Sequence, residues 1–275
     1  MEAITDFCLE YKIVESTKPC LTVIVAAAGS ALRMGGSKQF IPLLGIPVLA
    51  RTLMVFDKNS SVKNIVVVGR NDQLCDIQNI IDKYEISKIS AVVEGGMTRF
   101  DSVLKGLEAC PSGGGSSEDY IAIHDGARPL VTDEIIADAL SIAKEHGAAA
   151  PAVPVKDTIK EADEKGKVLR TPERKSLFAV QTPQIFSRDI YEEAYKRAKG
   201  AMENGSSGIF SDGAKGGQPL FSKMPEFTDD CSIMEWAGYF VYLSKGSYEN
   251  IKITTFEDVE IAEAVLKRRM TEGER

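Results

Sequence analysis

The sequence predicts an α/β fold: a three-layer, doubly wound, mostly parallel sheet with a protruding β-arm. Three observations predict it. Runs such as "LTVIV" and "IVVV" are apolar throughout, as strands covered on both faces are. Segments with helical spacing of apolar residues alternate with them as far as Gly147. Beyond that point prolines, charges and a "DEKGK" turn signal break the alternation, which reads as an extended hairpin leaving the sheet.

The elements follow in order. Residues 1–19 have no clear pattern and end at Pro19, so they form an N-terminal extension ahead of a single domain, 20–275. "LTVIVAA" is the first strand and "PVLARTLMVFDK" the helix after it. "NIVVVGR" is a strand, and Asp72 to Tyr84 a helix. "SAVVEGG" is a strand and "TRFDSVLKGLEAC" a helix. "YIAIHDGA" is the fourth strand. In "TDEIIADALSIAKEHG" Thr132 stands at the N-cap, acids fill the first turn, and Gly147 lies just past the end. The segment "AAAPAVPVKDTIKEADEKGKVLRTPERKSLFAVQTPQIF" reads as the arm, centred on about 154–180. "SRDIYEEAYKRAKG" is a helix. About 204–226 is Gly/Ser-rich and reads as a flexible insertion. "TDDCSIMEWAG" is a short helix with Thr228 as its N-cap. "YFVYLSKGSYENIKIT" holds two strands around a turn. The last helix opens at Thr255, with Asp258 three residues on as a loose capping box.

Composition narrows the function. The formal charge is −7, which argues against a protein that coats nucleic acid. No apolar run is long enough to span a membrane, and the acidic N-terminus does not read as a secretion signal. The five cysteines are scattered without a C-x-x-C, and with only two histidines no zinc set forms; free thiols fit a reducing cytoplasm.

The strand ends carry the chemistry. In open α/β sheets ligands bind beyond the C-terminal ends of the strands. "AAAGSALRMGGSKQF" places small residues, Gly29, Arg33 and Lys38 there, a turn suited to an anion. It is neither a dinucleotide fingerprint nor a P-loop. "EGGMTRFDSV" adds Gly95, Gly96, Arg99 and Ser102; "HDGARP" adds Asp125, Gly126 and Arg128; "NIKITT" adds Lys252 and Thr254. Four polar or Gly-rich clusters at one sheet edge predict a phosphate-rich ligand.

Together these motifs resemble the 2-C-methyl-D-erythritol 4-phosphate cytidylyltransferase family, whose fold is of the nucleotidyltransferase, Rossmann-like type. "AAAGSALRMGGSKQF", "GGMTRFDSV", "HDGARP", "DTIK", Arg174, "TPQIF", "TDD" and "NIKIT" match it in order from about residue 21 to 266. Ala31 and Ser37 depart from the family's usual Gly and Pro. A positive φ strongly favours glycine, so Ala31 requires a negative φ.

The resemblance implies that a polyol phosphate attacks the α-phosphorus of CTP, releasing pyrophosphate with Mg²⁺ bridging the phosphates. It implies catalytic roles for Arg33, Lys38, Arg174 and Lys252. The nucleotide would meet Ala26, Ala27, Ala28, Gly29, Gly95, Gly96, Arg99, Ser102, Asp125 and Gly126. The acceptor would meet Asp125, Arg128, Thr158, Arg174, Thr228, Lys252 and Thr254, and Asp125 is the candidate metal ligand. It also implies a homodimer interlocked through the arm. The acceptor phosphate has a second pKa of about 6, so it is dianionic near neutrality and needs no general base; His124 is then structural. Ribitol 5-phosphate cytidylyltransferase is the nearest alternative. A glycosyltransferase would want a D-x-D where this chain has "HDG". A nucleotide-binding regulator without catalysis would not need all four cations.

Overall fold

A computed structural model describes residues 21–29, 38–112, 119–204 and 227–273. The extension 1–19, Ala31, Arg33, Ser37 and the insertion from 205 to 226 lie outside the described residues.

The order is β1 (Leu21–Ala26), a short β2–β3 ribbon (Pro42–Leu43 and Ile46–Pro47), α1 (Val48–Lys58), β4 (Val62–Gly69), α2 (Leu74–Lys83), β5 (Ile89–Glu94), α3 (Arg99–Glu108), β6 (Tyr120–Asp125) and α4 (Asp133–His146). It continues with β7 (Ala148–Pro154), β8 (Glu161–Ala162), β9 (Val168–Arg170), β10 (Phe178–Val180), β11 (Gln184–Ser187), α5 (Arg188–Asn204), α6 (Asp230–Trp236), β12 (Tyr242–Lys245) and α7 (Phe256–Gly273). β6, β1, β4 and β5 lie side by side, all parallel. β11 joins antiparallel between β6 and β7. β7 meets β11 and then β10 along one edge, and β12, parallel, along the other.

Alternation along the central strands produces the three layers. Leu21, Val23, Val25, Ile65 and Val67 pack toward α1, α2 and α4. Ile24, Val66 and Val68 pack toward α3, α5 and α6. Each fully buried Val, Leu or Ile is worth about 1.5–3 kcal/mol, so the buried β1 has a strongly fixed register. α3 lies close to the sheet at Gly106, where a Cβ would come within 2.7 Å of Ile24 Cγ2 and 2.8 Å of Val68 Cγ2. Behind α4 the predicted C-cap holds: Gly147 adopts φ 88°.

Three expectations are corrected. The stretch 148–186 is not one arm outside the sheet, because β7, β10 and β11 belong to the main sheet. Pro151 and Pro154 mimic strand breakers there, since proline cannot donate to a ladder. Here the Pro151 carbonyl still accepts from the Gln181 amide at 2.7 Å. The cap of α6 is Asp229 rather than Thr228; its carboxylate accepts from the Ser232 amide at 3.0 Å. Finally, "NIKIT" is not a strand. Its backbone ties to a loop instead, the Ile253 amide donating to Ala127 O at 2.8 Å.

Candidate active site

A cleft of about 420 Å³ opens at the C-terminal ends of the parallel strands. That volume lies in the range of small-ligand pockets. Register builds its floor: Ala26 ends β1 directly beside Asp125, the last residue of β6. The Gly126 amide donates to Ala26 O at 2.9 Å and the Ala27 amide to Val68 O at 2.7 Å, which fixes the chain as it leaves β1. Gln39, from the turn Lys38–Phe40, donates through Nε2 to Ala27 O and so ties that turn to the same loop. Lys38 beside it lines the cleft.

The second wall is the β5–α3 connection. The Gly95 amide donates to Gly69 O at 2.8 Å, and the Gly96 amide to Ser102 Oγ at 3.0 Å. A Cβ at Gly96 would sit 2.2 Å from Asp101 Cβ, so only glycine passes there. Thr98 caps α3 in a full capping box with Asp101. The N-terminus of α3 therefore borders the cleft through Thr98 and Arg99, where its dipole favours an anion.

The third side is charged. Asp125 Oδ2 faces both Arg128 Nε and Lys252 Nζ, each at 3.1 Å. Burial pushes the Asp125 carboxyl upward, but Lys252 and Arg128 outweigh it and bring the pKa down to about 2. Arg128 also donates to Asn250 O at 2.8 Å. Behind this cluster His124 is fully buried. Its Nδ1 meets Thr182 Oγ1 at 3.0 Å, its Nε2 meets Arg128 O at 3.1 Å, and the Asp125 amide donates to Thr182 Oγ1 at 3.1 Å. Burial pushes its pKa down to about 4, so the ring is neutral near pH 7 and braces the loop.

Of the expected residues, Ala26, Ala28, Gly29, Lys38, Gly96, Arg99, Ser102, Asp125 and Lys252 line this one cleft. Ala27, Gly95, Gly126 and Arg128 stand behind it and hold the backbone. The Thr254 hydroxyl donates to Asp258 Oδ2 at 2.7 Å and so opens α7 rather than facing the cleft. Within one chain Thr158, Arg174 and Thr228 are exposed elsewhere; Arg174 donates to Lys156 O at 3.1 Å. Arg33 lies outside the described residues. Gln39, Met97, Thr98 and Ala127 line the cleft without having been expected. Gln39 and Thr98 sit inside motifs already singled out, and the T-x-x-D spacing of Thr98 was a legible cap signal.

The comparisons agree with this architecture. The 2-C-methyl-D-erythritol 4-phosphate cytidylyltransferase (IspD) family profile matches residues 21–210 and 218–268. A relative from Alkaliphilus metalliredigens bearing that name is 42% identical over 257 residues, covering 90% of this chain and 94% of its own. One from Clostridium novyi is 40% identical over 93% of this chain and 99% of its own. The crystal structure of 4-diphosphocytidyl-2C-methyl-D-erythritol synthase from Anaerococcus prevotii superposes with a TM-score of 0.70 at 28% identity, covering 91% of this chain and all of that one. By profile, by relatives and by fold, the chain belongs to the 2-C-methyl-D-erythritol 4-phosphate cytidylyltransferase family.

Proposed function

We propose that the chain transfers a cytidylyl group from CTP to 2-C-methyl-D-erythritol 4-phosphate and releases pyrophosphate, a step in making isoprenoid precursors. The observation that carries this reading is the meeting of Lys38, Lys252 and Asp125 with the Ala26–Gly29 turn and the Gly96–Ser102 wall around one cleft.

The chemistry follows from charge. Two anions must approach, so the protein's task is positioning and neutralisation, the terms that dominate phosphoryl transfer. Lys38 and the turn after β1 stabilise the triphosphate as negative charge builds on the leaving pyrophosphate. Lys252, aimed by Asp125, holds the incoming phosphate in line. Gly96 and Ser102 bring backbone and hydroxyl to the base edge. No side chain need remove a proton, since the acceptor phosphate is already a dianion above a pKa of about 6.

Mg²⁺ fits this site on one observation. Asp125 lines the cleft, and Lys252 and Arg128 keep its carboxyl ionised at neutral pH. A magnesium ion bound mainly by phosphates needs only one or two such carboxylates and would supply further charge neutralisation. Among the described residues no cluster of three His, Cys, Asp or Glu could hold a metal by itself.

We further propose a homodimer in which Thr158 and Arg174 of the arm complete the neighbour's cleft. Among the described residues no helix is long and apolar enough to cross a membrane, and we place the enzyme in the cytoplasm. The test is pyrophosphate release with CTP, ATP, GTP and UTP, each crossed with methylerythritol phosphate and ribitol phosphate. The reading expects turnover with CTP and methylerythritol phosphate; CTP binding without release in any pair overturns it.

A further inference from the structure

We propose that Asp230 is a positioning residue for the nucleotide: its buried carboxylate aims the Arg99 guanidinium along the cleft wall, and Tyr191 and Tyr195 fix that carboxylate. The inference rests on the reading above that Arg99 lines the nucleotide subsite.

Asp230 is wholly buried, whereas the Arg99 side chain keeps 29% of its surface open. A carboxylate in such a place is costly unless it is both paired and hydrogen-bonded. Asp230 satisfies this at both oxygens. Oδ2 accepts from Arg99 Nη2. Oδ1 accepts from Tyr191 Oη at 2.7 Å and Tyr195 Oη at 2.8 Å. Its own amide donates to Gln184 Oε1 at 3.0 Å, and Gln184 Nε2 donates to Asp229 Oδ2 at 2.8 Å. A carboxylate held this way cannot turn. Burial first, then the Asp230 charge, raises both tyrosine pKa values well above the usual range, so their hydroxyls stay protonated donors.

Arginine presents five N–H donors in one rigid plane. Fixing Nη2 on Asp230 limits how that plane can turn at the cleft that Arg99 lines. The next residue reinforces the hold: the Phe100 ring stacks on Tyr195 with centroids 4.7 Å apart. The first turn of α3 is therefore gripped by α6 through Asp230 and by α5 through Tyr195. This gives the "TDD" motif a task that a helix cap alone does not explain.

Two roles for Asp230 predict opposite signs. As a bare counter-charge it would weaken anion binding at Arg99, so removing it would lower KM for CTP. As an aiming group it strengthens binding, so removing it raises KM. The experiment measures KM for CTP, kcat and thermal midpoint in R99M, D230N, the R99M/D230N double variant, Y191F and Y195F. D230N should raise KM about tenfold, what loss of one charge-assisted hydrogen bond gives, with kcat changed by less than about threefold. R99M should raise KM at least as much. The double variant should match R99M, because Asp230 acts through Arg99. Y191F and Y195F, milder changes that keep the carboxylate, should each raise KM about threefold; they decide the matter if D230N does not fold. A fall or no change in KM in the folded variants overturns the inference, as does a D230N effect that persists in full without Arg99. An unchanged KM in R99M with normal pyrophosphate release also overturns it while leaving the proposed reaction intact; loss of release with every acceptor in the unmodified enzyme would instead overturn the reaction.

Discussion

At the cleft, Asp125 and Lys252 form an ion-paired cluster with Arg128 behind them, backed by buried strands. In residues 155–177, by contrast, everything but Val155, Pro172 and Leu177 is exposed, and β8 pairs with β9 in a two-stranded sheet of its own. The cleft is positioned by this chain's core. The hairpin is not, since an isolated two-stranded ribbon is at best marginally stable in water. Ile159, Val168 and Leu169 are all more than 40% exposed on it. On that ground we propose that its Thr158 and Arg174 serve a neighbouring subunit.

The largest expected effect tests that division directly. Lys38→Ala and Lys252→Ala should each lower kcat by about 10²–10³, as loss of a preorganised charge stabiliser does, with the thermal midpoint little changed. Arg174→Ala should cost a comparable factor although Arg174 is remote from its own cleft. Coexpressed Lys252→Ala and Arg174→Ala subunits should then recover about a quarter of the activity, because half of a random mixture is heterodimer with one intact site in each. No recovery, with both variants dimeric by sedimentation, confines each site to a single chain.

The next effect concerns the brace behind the cleft. The unfolded His124 takes up a proton near pH 6.5, whereas the folded one waits until about 4. The unfolded chain thus binds more protons in between, and stability falls as pH drops from about 6.5 to 4 by about 3 kcal/mol. Urea titrations at pH 7, 5.5 and 4.5 measure this slope. His124→Asn should be less stable at pH 7 yet flatter toward acid; an equally steep slope assigns the titration to another group.

The smallest effect sharpens the contrast. Thr98→Ala removes the cap of α3 at the cleft wall and should cost about 1 kcal/mol. Lys165→Ala, on the hairpin surface, should stay within about 0.5 kcal/mol. Equal losses in urea denaturation would erase the distinction between the two regions.

Much of this was legible in the residues. Buried parallel strands announce themselves as unbroken apolar runs, and β1, β4 and β6 were readable for that reason. The cleft's backbone was legible through glycine: Gly96 is where a side chain cannot fit. β7 was hidden by Pro151 and Pro154, because a proline inside a paired strand reads in sequence as a strand breaker. Which side of the cleft wall each polar residue faces was not legible either. Thr254 and Arg128 carry the right chemistry for a substrate, but pairing with Asp258, Asp125 and Asn250 over the folded chain commits them elsewhere. The Asp258 and Asp125 contacts lie within four residues, whereas the Arg128–Asn250 contact spans 122 residues and is set by packing.

Ile253 ties the closing helix to the loops behind the cleft. Its side chain is buried with Leu43, Val48, Leu130 and Ala262 of α7, and its amide is fastened to Ala127. Lys252, paired with Asp125, stands one peptide from an anchor that α7 holds. The packing of α7 on Ile253 thus helps fix the backbone next to Lys252, whose ammonium group we propose holds the incoming phosphate.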